Sequence, residues 1–315
     1  MKTRVLVGVI CLPALFAILF WAPPVFFTIL VSLICAISAI ELIQAAGMPK
    51  NIRVRIYIVL SAAIIPISVH YSALWPPYLH LLHWMSSFLL WAANNPYFFP
   101  FLITFLMFIE AAIAYKTDRQ ISINMILATI FGAAIMPQML STLVEMRFIS
   151  LSSFHGTILS FGGSDIGAGR YFILIPIICA FFTDAGAYFS GFLFGKRKAF
   201  PHISPKKTVA GCVGGLITGA LMLVLFGTII NFATQYHANV IMLAIIGIVG
   251  AAFTQLGDLA FSLIKREYNV KDFGKLIPGH GGMLDRFDSL FFVAPVIYLM
   301  ITSAFWQVIT STPRF

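Results

Sequence analysis

The stretch around which this chain is organised is Asp258–Asp288, DLAFSLIKREYNVKDFGKLIPGHGGMLDRFD. The chain has 315 residues and is 10% charged, yet this segment holds five of its eleven acidic and five of its twenty basic residues. It begins inside one apolar run and ends where another begins. Because Mg²⁺ is typically held by one or two carboxylates plus substrate phosphates, and Lys and Arg bind phosphate, the segment predicts a cation and an anionic substrate beside a membrane.

The composition excludes an ordinary soluble domain. Hydrophobic residues make up 60% of the chain, whereas about 45–50% is typical of soluble domains. The net charge of +9 does not indicate nucleic-acid binding, because the basic residues lie between apolar runs rather than on one basic face. The cysteines lie in apolar stretches without metal-ligand spacing, which favours inert thiols for Cys11, Cys35, Cys179 and Cys212.

Apolar stretches long enough to span a bilayer predict an all-α, polytopic membrane protein. A spanning helix needs about 20 mostly apolar residues. The first stretch follows Lys2 and Arg4 but ends without a cleavage signal, so we interpret it as an uncleaved helix. The nine predicted helices are roughly 5–21, 24–46, 55–75, 97–115, 121–146, 171–194, 210–232, 239–264 and 288–310.

The distribution of basic residues decides how the short apolar stretch 78–93 is interpreted. If 78–93 does not span, 17 of the 20 Lys and Arg residues fall on one side of the membrane and only Arg147, Arg170 and Arg314 fall on the other. The positive-inside rule makes the richer side cytoplasmic. We therefore expect 78–93 to lie on the outer surface, the N-terminus in the cytoplasm and the C-terminus outside.

Four acidic residues lie inside predicted spans, where such residues are costly and are functional candidates. For Glu41 and Glu110 we expect a structural ion pair with a nearby Lys or Arg. Asp184 and Asp258 each lie in the cytoplasmic half of a helix and predict a polar cavity open to the cytoplasm.

Helical spacing groups other polar and small residues with these two aspartates. Asp184 shares one face with Tyr188 and the packing glycines Gly191 and Gly195, and Asp258 shares a face with Ser262 and Lys265.

Two polar loops lead into predicted helix N-termini, which bind anions through unpaired N–H groups and the positive end of the helix dipole. The loop with Ser204, Lys206, Lys207 and Thr208 precedes a helix expected near Val209. The glycine-rich loop 278–282 precedes a helix expected near Asp288, and its His280 is interpreted as a general base, a metal ligand or a local hydrogen-bonding group.

Two blocks of sequence resemble a known family. The run Ser262–Asp288, SLIKREYNVKDFGKLIPGHGGMLDRFD, looks like the signature of the phosphatidate cytidylyltransferases. The runs Asp184–Lys196, DAGAYFSGFLFGK, and Ile203–Thr208, ISPKKT, are similar to a second block of that family. Ala210 departs from the family, since many members carry Glu or Gln there. The resemblance predicts N-terminal helices over 1–170 and a catalytic region over 171–315.

The resemblance implies that CTP and phosphatidate give CDP-diacylglycerol and pyrophosphate, with Mg²⁺ and with a second cation left open. It implies Asp258 and Asp285 as the leading Mg²⁺ ligands, with Asp288 and Asp184 as supporting or alternative ligands. The residues expected to contact the phosphates of CTP are Ser204, Lys206, Lys207, Thr208, Lys271 and Tyr188. The residues expected to act in catalysis, beside the two leading aspartates, are Lys265, Arg266, Arg286 and His280.

The same resemblance places the chain in the inner membrane of a bacterium, and the distribution of basic residues places its active site on the cytoplasmic side. The expected partners are CTP, phosphatidate and the lipid bilayer, and a homodimer is left open. Three alternatives are considered: an ion-coupled transporter with buried aspartates, a CDP-alcohol phosphotransferase and a polyprenol kinase. The transporter is disfavoured by acids clustered on one side, and the phosphotransferase by the absence of an Asp-Gly dipeptide.

Overall fold

The fold was analysed in a computed structural model of the chain. The structure describes residues 13–47, 52–73, 91, 95, 98–114, 121–149, 166–234, 236–276, 281–303 and 309–311. The predictions for His280 and for the segment 78–93, apart from Trp91, lie outside the described residues.

Helices account for most of the described chain. Residues 13–20 are helical. A π-helical segment, Phe131–Ile135, joins the helix that ends at Ile130 to the helix that begins at Met136. The labelled helices are α1 (Pro24–Ala45), α2 (Ile52–Ala73), α3 (Phe98–Ile113), α4 (Ile123–Ile130), α5 (Met136–Arg147), α6 (Ile166–Phe194), α7 (Val209–Ala233), α8 (Val240–Glu267) and α9 (Leu284–Thr302).

Two short antiparallel strand pairs connect or follow these helices. Strand β1 (Lys198–Phe200) pairs with β2 (Ser204–Thr208) in the connection from α6 to α7. Strand β3 (Tyr236–Ala238) pairs with β4 (Ile309–Ser311).

Six helices are long and apolar enough to cross a membrane, so the chain is an all-α polytopic membrane protein. They cover Pro24–Ala45, Ile52–Tyr71, Ile123–Arg147, Ala168–Phe194, Val209–Ala233 and Val240–Glu267, and Phe98–Ile113 is a shorter apolar helix. These positions agree with the predicted stretches to within a few residues. Two predicted starts were wrong: α6 begins at Ile166, five residues early, and α9 begins at Leu284, about one turn early.

The chain forms two compact units. The first comprises Met1–Glu145 and Glu267–Phe287, and the second comprises Met146–Arg266 and Asp288–Phe315. The division predicted at residue 170 rested on the family resemblance and stays a prediction.

In the first unit, α1 and α2 bury apolar side chains such as Val31, Leu42 and Ile58. The buried Glu110 carboxylate pairs with Arg53, with Arg53 Nη2 lying 3.5 Å from Glu110 Oε2. The predicted structural ion pair of Glu110 is therefore confirmed.

In the second unit, glycines bring helices into close contact. A Cβ added to Gly247 of α8 would lie 2.6 Å from Ala220 Cα of α7. A Cβ added to Gly257 would lie 3.2 Å from the Asp288 carbonyl oxygen of α9. Small residues are the usual means of close packing between membrane helices. They bring the polar ends of α6, α7, α8 and α9 within reach of one another.

Candidate active site

An ion pair between β2 and α8 lies at the centre of the candidate site in the second unit. Lys207 Nζ lies 2.7 Å from Asp258 Oδ2, and the two side chains are 21% and 32% exposed. The same ammonium donates to the Gln255 carbonyl oxygen at 3.4 Å, while Gln255 Nε2 donates to the Cys212 carbonyl oxygen at 3.0 Å. Lys207 is thus held by both a carboxylate and a backbone acceptor, which fixes the end of the hairpin against α8.

Thr208 ends the hairpin and caps α7. Its Oγ1 accepts a hydrogen bond from the Gly211 N–H at 3.1 Å, as expected for an N-cap residue. Added Cβ atoms at Gly191 and Gly195 would lie 2.9 and 2.7 Å from this same oxygen. The predicted glycine face of α6 therefore packs against the α7 N-terminus, and that helix begins at Val209 as predicted.

A buried serine links two of the predicted acidic residues. Ser289 Oγ lies 3.2 Å from Asp288 Oδ1 and 3.4 Å from Asp184 Oδ2, and the Ser289 N–H donates to Asp288 Oδ1 at 2.7 Å. Asp288 is only 9% exposed, whereas Asp184 is exposed. One hydroxyl thus ties a carboxylate in the second half of α6 to a carboxylate near the start of α9.

The polar face of α8 continues from the ion pair toward the end of the helix. Ser262 Oγ donates to Asp258 Oδ1 at 3.5 Å, which confirms the predicted shared face. Lys265 lies one turn further, with a half-buried side chain. Arg266 is exposed and donates through Nε to the Ile203 carbonyl oxygen at 3.3 Å, so it contacts the hairpin loop.

In the first unit, Asp285 organises the loop before α9. Its Oδ2 accepts from the Phe273 N–H at 2.8 Å and from the Gly282 N–H at 3.0 Å. Gly281 has a φ of 88°, a backbone conformation that favours glycine, and an added Cβ there would lie 3.1 Å from Asp285 Oδ2. One oxygen of this predicted metal ligand is therefore already engaged by backbone N–H groups.

Glu41 of α1 contacts the same loop. Its two carboxylate oxygens accept from the Met283 N–H at 3.0 Å and the Leu284 N–H at 2.8 Å. The expected ion pair was wrong, because the observed partners of Glu41 are backbone N–H groups rather than a Lys or Arg side chain. These bonds also explain the early start of α9, since they supply acceptors to the first N–H groups of the helix.

The two units divide the predicted site residues. The second unit contains Asp184, Tyr188, Ser204, Lys206, Lys207, Thr208, Asp258, Lys265, Arg266 and Asp288. The first unit contains Lys271, Asp285 and Arg286, of which Lys271 and Arg286 are exposed. Tyr188 is 68% exposed and its ring lies edge-on to Phe189.

The acidic residues of the site fit Mg²⁺ by their chemistry. Within the described part of the chain, no three His, Cys, Asp or Glu side chains converge closely enough to hold a metal ion by themselves. Mg²⁺ does not require such a cluster, because it keeps waters and uses one or two carboxylates with substrate phosphates. The carboxylates of Asp258, Asp288 and Asp184 are donors of the required kind, and Ser289 lies beside two of them.

Sequence reasoning missed Ser289 and Gln255, and it misassigned the partners of Glu41. Ser289 follows Asp288 directly, so a polar pair at the start of an apolar run was the available signal. Gln255 lies one turn before Asp258, and a polar amide in a spanning helix could have been noted for the same reason.

Comparison with known proteins shows the family of the chain. The family model described as "Cytidylyltransferase family" matches residues 2–304. Phosphatidate cytidylyltransferase of Bacillus subtilis is 44% identical over 133 residues, which are 42% of this chain and 48% of the relative. The enzymes of that name from Staphylococcus haemolyticus and Staphylococcus saprophyticus are 41% and 44% identical over 133 residues, 50% of each relative.

The matched segment spans about half the length of these curated relatives, at 48–50%. The family model, by contrast, extends over nearly all of the 315 residues. The chain therefore belongs to the cytidylyltransferase family.

Proposed function

We propose that this protein is a phosphatidate cytidylyltransferase, which converts CTP and phosphatidate to CDP-diacylglycerol and pyrophosphate. The observation that carries the proposal is the identity of 41–44% with relatives of that name. The ion pair, the capped helix and the nearby aspartates of the second unit support it, since they combine a cation, a helix N-terminus and carboxylates.

The proposed reaction requires positioning more than acid–base catalysis. A phosphate monoester has a second pKa of about 6, so the lipid phosphate is mostly dianionic at neutral pH. One of its oxygens attacks the α-phosphorus of CTP, a new P–O bond forms, and the bond to the bridging oxygen breaks as pyrophosphate leaves. The protein must align two anions and stabilise the charge of the transition state.

Residues of this chain suit those tasks. Lys207 is held close to Asp258 and half-buried, so its ammonium can neutralise a phosphate without being fully hydrated. The N-terminus of α7, with Thr208 and the neighbouring Ser204 and Lys206, offers N–H, hydroxyl and ammonium donors. We assign these groups, with Lys271 and Tyr188, to CTP, and Lys265, Arg266 and Arg286 to either phosphate group.

Mg²⁺ is part of the proposal, with Asp258 and Asp285 as the leading ligands and Asp288 and Asp184 as supporting or alternative ligands. When bound, the ion would neutralise charge on the phosphates of CTP. Asp285 contributes to the loop through one oxygen whether or not it also binds metal. A second cation and the role of His280 remain predictions of the family resemblance.

The membrane topology is also proposed. It has nine spanning helices, with the N-terminus and the site on the cytoplasmic side of a bacterial inner membrane. The 17 to 3 division of basic residues supports this orientation. Six long apolar helices support a chain that crosses the membrane several times. A homodimer stays a prediction.

The experiment that tests the proposal measures pyrophosphate release by the purified protein in detergent with CTP, phosphatidate and Mg²⁺. We expect release that needs both substrates and that falls about 100-fold or more in Asp258→Asn and Lys207→Met. Lys198→Met removes the same charge from the neighbouring strand and should retain activity. A folded wild-type protein that releases no pyrophosphate but carries an ion flux in proteoliposomes would contradict the proposal.

A further inference from the structure

A buried carboxylate distant in sequence lies against the start of α9, the helix that carries two of the predicted catalytic residues in its first turn. Glu41 belongs to α1 and is 5% exposed. It accepts a hydrogen bond from the N–H of Met283, which lies 242 positions later in the sequence. Both belong to the first unit, together with Asp285 and Arg286. A charged group buried this deeply is costly unless hydrogen bonds satisfy it.

The hydrogen bonds of Glu41 are directed at backbone. Oε1 accepts from Met283 and Oε2 accepts from Leu284, at 3.0 and 2.8 Å. These N–H groups lie at the start of α9, where a helix has no internal acceptors and where its dipole favours negative charge. Both oxygens of the carboxylate are thus used to fix the first turn of the helix.

Glycines of the loop enclose this carboxylate. A Cβ added to Gly274 or Gly282 would collide with the carboxyl group of Glu41. Asp285 accepts from the N–H groups of Phe273 and Gly282. Two carboxylates together therefore accept from four backbone N–H groups, those of Phe273, Gly282, Met283 and Leu284.

We propose that Glu41 is a positioning residue of the reaction, which orients Asp285 and Arg286 by fixing the backbone of residues 282–284. The expected effect of Glu41 on the reaction rate rests on the proposed function. The expected effect of Glu41 on the loop backbone does not depend on any substrate. The carboxylate itself need not touch CTP or phosphatidate. Its two oxygens act through the loop, and both are required.

The variant Glu41→Gln tests this geometry with a minimal change of shape. A glutamine has one acceptor oxygen, and its NH₂ group would face a second N–H donor. Hydrogen exchange at the Met283 and Leu284 amides, measured on the full chain in detergent without substrate, should become about tenfold faster or more. In the pyrophosphate assay we expect kcat to fall about 100-fold, because small displacements of reacting groups are costly, with a smaller change in KM for CTP.

Three further variants separate positioning from a general loss of structure. Glu110→Gln makes the same change at another buried acid of the first unit, one paired with Arg53, and should leave exchange in the loop and kcat near wild type. Glu41→Asp keeps both oxygens and should recover part of kcat. Gly274→Ala leaves Glu41 intact but displaces its carboxyl group, and should reproduce the fast exchange.

The outcomes distinguish the two proposals. Fast exchange confined to residues 273–287, with reduced kcat in Glu41→Gln and Gly274→Ala, supports the positioning role. An active wild-type protein with unchanged exchange and kcat in Glu41→Gln overturns that role and leaves the proposed function standing. A wild-type protein without pyrophosphate release overturns the proposed function and the catalytic part of this inference, whatever the exchange shows. If amide exchange in Glu41→Gln is faster along α1 and α2 as well, the result for Gly274→Ala decides. Fast exchange in the loop of that variant supports the positioning role, and unchanged exchange there overturns it.

Discussion

Ser289 places an uncharged hydroxyl between two carboxylates of the candidate site. Its hydroxyl lies within 3.4 Å of two carboxylates, on Asp184 and on Asp288, and it is itself buried. A hydroxyl has one proton to donate, so it can satisfy only one of these acceptors at a time. Asp288 also accepts from the Ser289 N–H, and Asp184 is exposed, so both carboxylates keep oxygens that could bind the proposed Mg²⁺.

We predict that Ser289→Ala weakens the interaction with Mg²⁺ more than it weakens the fold. Groups that orient metal ligands typically contribute 10–100-fold in metal affinity or activity. The Mg²⁺ concentration for half-maximal pyrophosphate release should rise about tenfold, measured by initial rates at saturating CTP. Ser303→Ala, directly after the opposite end of the same helix, serves as the control. An unchanged Mg²⁺ dependence in Ser289→Ala would show that the hydroxyl does not orient these ligands.

At this scale the sequence predicts which residues are polar in an apolar setting, but not which of them meet. Asp184, Asp258 and Asp288 could be singled out because charges are rare in spanning helices. The contact of Glu41 with Met283 crosses 242 positions, and no local pattern encodes it. The bond from Lys207 to Asp258 likewise depends on how a hairpin folds against a helix.

Among the elements, α7 shows how a single residue joins two parts of the candidate site. Thr208 ends strand β2, caps α7 and fills the space left by Gly191 of α6 and by Gly195 directly after that helix. The start of this helix could be predicted, since a threonine before an apolar run is an N-cap signal. The hairpin could not, because Lys198–Phe200 and Ser204–Thr208 are too short and polar to show the alternation of a strand.

We predict that the hydroxyl of Thr208 stabilises α7. Replacing a capping threonine with alanine costs about 1 kcal/mol, with a usual range of about 0.5–2 kcal/mol. Thr208→Ala should therefore lower the free energy of unfolding by about that amount, measured by denaturant titration in detergent. Thr208→Ser keeps the oxygen and should lose less. Equal destabilisation by both variants would instead assign the effect to the methyl group that packs beside Gly195.

For the whole molecule, hydropathy predicts the helices well and their arrangement poorly. The spanning stretches are apolar on most faces, so periodicity does not show which side packs against which neighbour. Packing depends on small residues such as Gly247, whose close contact with Ala220 appears only in three dimensions. The direction of each helix, in contrast, is set by basic residues in the loops, and this can be tested directly.

The last prediction concerns the direction in which α7 crosses the membrane. Its 25 residues have a length of about 37 Å at 1.5 Å per residue, enough to span a bilayer. His202 lies before this helix and His237 after it, and both are exposed. In a background without the native cysteines, His202→Cys should react with a membrane-impermeant thiol reagent only in inside-out vesicles, and His237→Cys only in spheroplasts. Each variant is the control for the other. Reaction of both from one side would show that α7 does not span, and a reversal would place the candidate site on the outer face.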